Sequence, residues 1–421
     1  MEASTVEKAY LSSRERYAGL GVDTDAALAG LRKISISLPC WQGDDVHGFE
    51  KARPPAPAGG IRATGNYPGG ARSADELRQD LKAALVLIPG KHRVNLHAIY
   101  GEFGGRPVSR DEFEPGHFRG WLTWAKAEGL KLDFNATCFS HPKAARGLTL
   151  SSPNKETRKF WIDHVKCCRR IAAFLGRELR SPAIHNLWIP DGSKDQPFDR
   201  WGPRLRLKEA LDEIFKLEYS PSVMKDSLEG KLFGIGSESY VVGSHEFYLA
   251  YALARRKIIC LDLGHFHPTE SVADKLSALL QYLDELVLHL SRPVRWDSDH
   301  VVVLDDEMIR VAEEVVRGRA LGRVHLAMDF FDASINRVGA WVIGARSVLK
   351  AFLLALLQPQ GELLRAEAEG DYFRRLALFE DAKTLPSGAV WDRFCLESGT
   401  PLDGEWPGEV RRYERAVLSK R

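Results

Sequence analysis

Apolar and β-branched residues cluster in short runs along the first three quarters of the chain, and longer polar or amphipathic stretches separate these runs. The runs predict strands at 33–39, 93–99, 130–136, 183–189, 257–263, 286–291 and 324–330, with a weaker candidate at 224–233. In the stretches between them, apolar residues return every three or four positions, which is the spacing of amphipathic helices. This alternation predicts a parallel sheet covered by helices, and about eight strands is the number that closes a TIM (β/α)8 barrel.

The helical patterns continue after the strand patterns stop. Helices are predicted at 73–87, 110–129, 157–176, 245–256, 271–285 and 306–318. Beyond residue 336 only helical patterns follow, such as WVIGARSVLKAFLLALL and DYFRRLALFEDAK. We therefore expect a barrel domain over residues 1–335, with an N-terminal helical lead-in, and a helical C-terminal extension over residues 336–421. An extension of this kind commonly packs on a neighbouring subunit, so oligomerisation is its expected role.

The charge balance argues against several classes of function. Of the 421 residues, 59 are Lys or Arg and 57 are Asp or Glu, which leaves a formal charge of +2. Because the sequence has no basic stripe that would neutralise a phosphate backbone, we expect no nucleic-acid partner. The N-terminal residues lack the apolar core of a signal peptide, and no segment has the ~18 uninterrupted apolar residues of a membrane span. These features predict a cytoplasmic protein with no membrane partner, and the six cysteines, which form no C-x-x-C pair, are expected to be reduced.

Ligand-type side chains accumulate where the last four predicted strands end. Glu229 and Lys231 fall at the end of the fifth strand; Asp262, His265 and His267 follow the sixth; His289, then Asp297, Ser298, Asp299 and His300, follow the seventh; and Asp329 and Asp332 end the eighth. Because the carboxyl ends of barrel strands surround one mouth, these groups should lie close together. Crowded carboxylates raise one another's pKa unless divalent cations hold them ionised, so a metal centre is expected.

The mixture of ligands indicates which ions the centre would bind. Carboxylates with a few imidazoles and no thiolate favour Mn²⁺, Mg²⁺, Co²⁺ or Zn²⁺, and there are enough ligands for two ions. Each residue alone also has a simpler interpretation: His289 as a hydrogen-bonded core histidine, Asp297 to His300 as an Asx-turn, and Asp262, Asp329 or Asp332 as helix caps. Four successive strands that all end in ligand-type residues favour metal binding over capping.

Several longer motifs resemble one family. WQGDDVHGFE (41–50), ATGNYPG (63–69), NLHAIYGE (95–102), LWIPDG (187–192), LGHFHPTE (263–270), SRPVRWDSDHVV (291–302) and DFFDASINR (329–337) are similar to the bacterial L-rhamnose isomerases, and the resemblance covers essentially the whole chain. The resemblance implies a TIM barrel, a homotetramer and two divalent ions per subunit, with Mn²⁺ favoured and Zn²⁺, Co²⁺ or Mg²⁺ as alternatives. It also implies the interconversion of L-rhamnose and L-rhamnulose, the first step of L-rhamnose degradation. The resemblance favours a 1,2-hydride shift over an enediol route in which Glu or His abstracts a proton, and the sequence does not separate the two.

The resemblance also implies a role for individual residues. His265, Asp297 and Asp299 would hold the catalytic ion, and Asp299 would take part in catalysis. Glu229, Asp262, His289 and Asp329 would hold a second, more structural ion, with Asp332 as the alternative to Asp329 and Asp297 as a possible bridge. Three roles concern the sugar itself. Lys231 would polarise the carbonyl oxygen at C1, and His97 would act on the sugar ring. Trp188 and His267 would bind the substrate.

The residue types alone leave other functions open. A metal-dependent phosphodiesterase on the same barrel would also place acids and histidines at strand ends, but the basic groove expected of it is missing. His97 could be an ordinary strand histidine and Trp188 an ordinary core residue. A non-catalytic metal- or sugar-binding protein is the third class, and Lys231 beside a two-ion cluster argues against it.

Overall fold

A closed barrel of eight parallel strands forms the centre of the molecule. The structure is a computed structural model, and it describes residues 3–41, 48–50, 69–231, 239–294, 299–331 and 334–421. The barrel strands are β1 (Ile36–Pro39), β2 (Arg93–His97), β3 (Lys131–Asn135), β4 (Ala183–Trp188), β5 (Met224–Glu229), β6 (Ile258–Asp262), β7 (Leu286–Leu290) and β8 (Val324–Met328). Each strand pairs with its neighbours in the chain, and β8 pairs with β1 to close the ring. The predicted TIM barrel is confirmed, including the weaker fifth strand.

Fourteen α-helices are present in the part of the chain that the structure describes. They are α1 (Ala3–Ala18), α2 (Thr24–Leu31), α3 (Ala74–Leu85), α4 (Arg119–Glu128), α5 (Lys155–Leu179), α6 (Trp201–Ile214), α7 (His245–Arg255), α8 (Ala273–Leu279), α9 (Asp306–Arg317), α10 (Arg337–Leu356), α11 (Gln360–Ala368), α12 (Tyr372–Lys383), α13 (Ser387–Glu397) and α14 (Trp406–Ala416). One helix from α3 to α10 follows each strand in turn. Helices α1 and α2 precede the barrel, and α11 to α14 follow it.

Polar side chains begin several of these helices. Ser73 caps α3 by accepting a hydrogen bond from the backbone N–H of Glu76, and Asn154 caps α5 in the same way through Thr157. Such caps satisfy backbone donors that have no partner inside the helix. The caps therefore fix where the chain leaves each loop and enters the outer ring.

The structure differs from the predicted helices at several places. Pro115 and Gly116 interrupt the predicted helix at 110–129, because proline lacks a backbone N–H and glycine is a poor helix former, so only 3₁₀ turns precede α4. The helix predicted at 271–285 already ends at Leu279, and α6 was not predicted. Helix α10 packs against α9 and α3 and so takes the eighth place of the ring, although it lies in the predicted extension. The division into two domains stays a prediction.

Helix α10 is the one described helix that is long and apolar enough to cross a membrane. Most of it is buried in the molecule, where it packs between α9 and α3. Core helices of globular proteins often have this composition, so the helix is only weak support for a membrane span.

The inside of the barrel is only partly apolar. Alternate residues of a strand lie on the same face. Residues two or four positions before the polar groups of the mouth therefore also point into the barrel. Ile184, Cys260 and Val287 form a small apolar cluster there, with Ile258 packed against it. The much larger apolar cluster lies between the barrel and the helices. Polar side chains occupy the C-terminal end of the barrel.

Candidate metal centre

The strands β5 to β8 bring four predicted ligands together. Atoms of Glu229, Asp262, His289 and Asp329 all lie within 4.8 Å of one another. Nδ1 of His289 is at the centre of this group, at 3.0 Å from Oδ2 of Asp329, 3.3 Å from Oε2 of Glu229 and 3.7 Å from Oδ2 of Asp262. This is the set that the resemblance assigned to the second, more structural ion.

A second group of possible ligands shares Asp262 with the first. Ligand atoms of Asp262, His265 and Asp299 also lie within 4.8 Å of one another. Asp297, which the sequence analysis assigned to the catalytic ion and as a bridge, lies outside the described residues, and so does Asp332. Asp262 therefore belongs to both groups, and Glu229 also lies close to a histidine of each, with its Oε1 3.3 Å from Nδ1 of His265 and its Oε2 3.3 Å from Nδ1 of His289.

Asp262 uses one carboxylate oxygen as a cap and leaves the other facing the cluster. Its Oδ1 accepts hydrogen bonds from the backbone N–H of Gly264 at 2.7 Å and from Oγ of Ser291 at 2.9 Å, so it caps the turn after β6. Its Oδ2 is buried and has no hydrogen-bond partner among the described residues. A buried carboxylate oxygen is costly without a partner, and an ion would provide one.

The turn after β6 needs glycine at its second residue. A Cβ at Gly264 would lie 2.0 Å from Oδ1 of Asp299, far inside van der Waals contact. The backbone of Gly264 thus lets the carboxylate of Asp299 approach His265. His265 is itself held by the hydrogen bond from its Nδ1 to the carbonyl oxygen of Gly230, at 3.1 Å.

Two further side chains hold the carboxylates, and the sequence analysis did not predict them as site residues. Nδ2 of Asn186 donates to Oε2 of Glu229 at 2.5 Å, and Nε1 of Trp41 donates to Oδ1 of Asp329 at 3.0 Å. Asn186 could have been found, because it precedes Trp188 by two residues and so lies on the same face of β4. Trp41 lies on the quoted motif WQGDDVHGFE, but nothing in its local pattern connects it to Asp329.

The charges of the cluster shift the pKa of its members. Burial lowers the pKa of His265, but the carboxylates of Asp262, Asp299 and Glu229 outweigh this effect and raise it to about 9. Burial raises the pKa of Asp329 despite its contact with His289. Without a cation the cluster thus holds protons, whereas a divalent ion would take over their role of balancing the charge.

The donor atoms fit divalent ions with a preference for oxygen and nitrogen. Carboxylates and imidazoles predominate, and Cys260 supplies the one thiol near them. Hard oxygen ligands with a few imidazoles suit Mn²⁺, Mg²⁺, Co²⁺ or Zn²⁺ better than an ion that needs a set of thiolates. The residues present fit the expected ions.

A small cavity with aromatic walls adjoins the two groups. His97, Phe139, Trp188 and Phe331 line it together with Glu229, His265, Asp299 and Asp329. The ring of Trp188 lies 6.3 Å from that of His265 and nearly parallel to it. Nζ of Lys231 lies 4.9 Å from the centre of the Trp188 ring. Predicted substrate-binding and metal-binding residues therefore face one space.

The two remaining predicted residues lie in different surroundings. His97 lines the cavity, contacts Oγ1 of Thr137 through Nδ1 at 3.0 Å, and is neutral because burial lowers its pKa to about 3. His267 is half-buried and is not among the described residues that line the cavity. Its Nδ1 accepts a hydrogen bond from the backbone N–H of Thr269, so it supports the turn there. A role of His267 in substrate binding stays a prediction.

A (β/α)8 barrel with two overlapping carboxylate–imidazole groups at its C-terminal mouth defines a class of protein: a TIM-barrel protein with a candidate site for divalent ions. The family model for L-rhamnose isomerase (RhaA) matches residues 4–421. The chain belongs to the L-rhamnose isomerase family.

Individual relatives agree with this assignment. The chain is 56% identical over 419 residues to an L-rhamnose isomerase of Rhodopirellula baltica, covering 100% of this chain and 98% of the relative. It is 55% identical over 416 residues to an L-rhamnose isomerase of Salmonella gallinarum, covering 99% of each. Among solved structures, a D-psicose 3-epimerase with D-tagatose from Clostridium cellulolyticum H10 is similar with a TM-score of 0.46 and 15% identity, over 69% of this chain and 96% of that one. A likeness of this size adds nothing to the assignment.

Proposed function

We propose that this protein interconverts L-rhamnose and L-rhamnulose and so performs the first step of L-rhamnose degradation. The observation that carries the proposal is the family match over residues 4–421, supported by relatives at 54–56% identity that are named L-rhamnose isomerase. The buried carboxylate–imidazole groups beside a cavity with aromatic walls support the same reaction.

The reaction moves two hydrogens within the open-chain sugar. The hydrogen on C2 passes with its electron pair to C1, and the proton on O2 passes to O1, which converts an aldehyde with a neighbouring alcohol into a ketone with a neighbouring alcohol. Negative charge develops on the oxygens during this transfer. Groups that stabilise this charge, and hold the sugar open and oriented, therefore accelerate the reaction.

We assign two ion sites to the described residues and to Asp297. Glu229, Asp262, His289 and Asp329 would hold one ion, and His265, Asp299 and Asp297 would hold the other, with Asp262 positioned to contact both. Divalent ions, with Mn²⁺ favoured, would supply Lewis-acid polarisation of the sugar oxygens. Asn186 and Trp41 keep two of the carboxylates in place through the hydrogen bonds described above.

The other side chains act on the sugar directly. The Lys231 ammonium would stabilise the negative charge on O1, and its position over Trp188 holds it at the cavity wall. Trp188 and Phe139 offer apolar faces against which the carbon side of a sugar packs. Neutral His97 is suited to exchange a hydrogen bond with a sugar hydroxyl as the ring opens. These faces also exclude water from the reacting atoms.

L-Rhamnose labelled with deuterium at C2 tests the proposal. We expect the purified protein to form L-rhamnulose and to retain the label at C1, because a direct hydride shift does not exchange with water. Loss of the label to solvent would replace the hydride shift by proton abstraction, with an acid or histidine as base. Absence of any ketose, while a panel of other deoxyhexoses is converted, would contradict L-rhamnose as the substrate.

We also propose that the protein is a cytoplasmic homotetramer. Helix α12 has no buried residues and exposes Tyr372, Phe373 and Leu376, which is the kind of surface that a neighbouring subunit covers. Light scattering on the purified chain should give the mass of four chains, and Phe373→Glu should reduce it. A monomer at the same protein concentration would contradict this proposal.

A further inference from the structure

A second cavity, of about 260 Å³, lies at the N-terminal end of the barrel, opposite the candidate metal centre. Its outer residues include the exposed Lys33 and the half-buried Ser181 and His325, and its inner end reaches Asn186 and His289. The interior of this fold is ordinarily filled by layers of side chains. Open space that reaches a candidate metal ligand from the N-terminal end of the barrel therefore departs from the usual packing of this fold.

Two small side chains beside His289 leave this space open. Ala327 of β8 is paired in register with His289 of β7, and Ser37 of β1 is paired with Ala327. Residues paired in this way point to the same face of a sheet, so the three side chains form a row inside the barrel. All three line the cavity. Branched side chains in place of Ala327 and Ser37 would fill the cavity.

Two buried polar atoms at the inner end make no hydrogen bond with a described residue, although the thiol of Cys260 lies close to the ring of His289. Nδ1 of His289 faces the carboxylates, whereas its Nε2 is buried and makes no hydrogen bond with any described residue. Oδ1 of Asn186 is in the same situation. A buried polar group without a hydrogen bond destabilises the folded protein. Cavities lined by several polar groups and large enough for water generally contain it.

We propose that this cavity holds ordered water, and that its innermost water accepts a hydrogen bond from Nε2–H of His289. The bond fixes the tautomer and the ring orientation of His289, so that Nδ1 keeps its lone pair and directs it toward the ion site. The second nitrogen of a metal-binding histidine is usually satisfied in this way by a carboxylate, a carbonyl or water. This inference rests on the proposed function, because it gives the water a role only if His289 binds an ion.

Filling the cavity tests the inference. Ala327→Leu places a large apolar side chain beside His289, and Ala327→Ser is the matched control that keeps the residue small. We expect Ala327→Leu to lower the Co²⁺ affinity of one site by roughly 10–100-fold, the usual effect of losing such a partner, and Ala327→Ser to bind as the wild type does. Competition with a chromophoric chelator measures the affinity. Thermal unfolding of the metal-free proteins reports any separate effect of overpacking.

The outcomes separate this inference from the proposed function. Equal Co²⁺ affinity of Ala327→Leu and the wild type would overturn the role of the water, while a wild-type protein that binds no divalent ion would overturn the proposed function itself. If Ala327→Leu does not fold, a high-resolution crystal structure of the metal-loaded wild type decides. Water within hydrogen-bond distance of Nε2 supports the inference; an empty cavity, or a protein acceptor such as the nearby Sγ of Cys260, overturns it.

Discussion

In the proposed reaction, Lys231 is the side chain that would distinguish an isomerase site from a generic metal site. Its charge would interact with O1 as negative charge develops there, more strongly in the transition state than in the bound sugar. We predict that Lys231→Met lowers kcat roughly a hundredfold or more, the effect of losing one such donor, with a much smaller change in KM and both ions retained. Steady-state kinetics and metal analysis on one preparation measure both.

A surface lysine provides the control for this prediction. Lys91 is exposed in the loop before β2, at the far end of the barrel, and Lys91→Met should leave kcat unchanged. If Lys231→Met also keeps its kcat while two ions are bound, Lys231 has no part in the reaction.

Asp329 and Asp332 offer a second comparison between single residues. Oδ2 of Asp329 lies 3.0 Å from Nδ1 of His289, which supports Asp329 as the ligand supplied by the eighth strand. We predict that Asp329→Asn lowers the metal content by one ion per chain and that Asp332→Asn retains both ions. Elemental analysis after gel filtration measures the content. The reverse result would move the ligand to Asp332.

Single residues also show which contacts could be predicted from the sequence and which could not. The strand-end position of Asp262 allowed two interpretations, a cap or a ligand, and the structure shows that one oxygen caps the turn while the other faces the cluster. The distinction depends on the side-chain rotamer, which no sequence pattern encodes. Trp41 could not be assigned to Asp329 either, because the two residues meet only when β1 closes on β8.

At the scale of elements, strands were easier to predict than helices. A barrel strand is buried on both faces, so it appears as a short apolar run with clear ends. Helix α6 begins with Trp-Gly-Pro, whose glycine weakens the helical pattern, although proline is tolerated in a first turn. The predicted helix at 271–285 ends early, and Tyr282 beyond its end is exposed. Periodicity alone does not show where tertiary packing stops.

A buried ion pair joins α5 to β5. Arg169 donates two hydrogen bonds to the carboxylate of Asp226, both at 2.9 Å, and the side chain of Arg169 is 1% exposed. Burial raises the pKa of Asp226, but hydrogen bonds from His185 and Arg169 outweigh it and lower the pKa to about 2. The folded protein therefore gains stability from this carboxylate above the unfolded-state pKa of about 4, and loses it as the pH falls toward 2.

Asp226→Asn should show this contribution. Removing the charge leaves Arg169 buried without its counter-charge, which costs about 3–5 kcal/mol in comparable pairs. We predict that the variant is less stable by this amount at pH 7 and that the difference shrinks as the pH falls below about 4. Below this pH the unfolded wild type takes up a proton at Asp226, whereas the folded protein does so only near pH 2. Urea unfolding across this pH range measures it. A difference that does not change with pH would contradict the assigned ionisation.

At the scale of the whole molecule, closure of the barrel creates the site. The sequence placed ligand-type residues at the ends of four successive strands, and the fold rule that these ends share one mouth was enough to predict a cluster. It could not predict that Asp262 belongs to both groups, since this depends on the register between β6 and β7, in which Asp262 pairs with His289. Nor could it predict the open space beneath the cluster, which follows from the small residues Ser37 and Ala327 meeting across the closed ring.

Metal removal tests the central claim most directly, namely that ions held by the barrel mouth support the isomerisation of L-rhamnose. The protein is dialysed against a chelator, its metal content is measured, and formation of L-rhamnulose is followed before and after ions are returned. The account predicts that the metal-free protein is inactive and that Mn²⁺ or Co²⁺ restores activity more fully than Ca²⁺, whose larger radius and flexible coordination suit the site poorly. Full conversion of L-rhamnose by thoroughly metal-free protein would contradict the account.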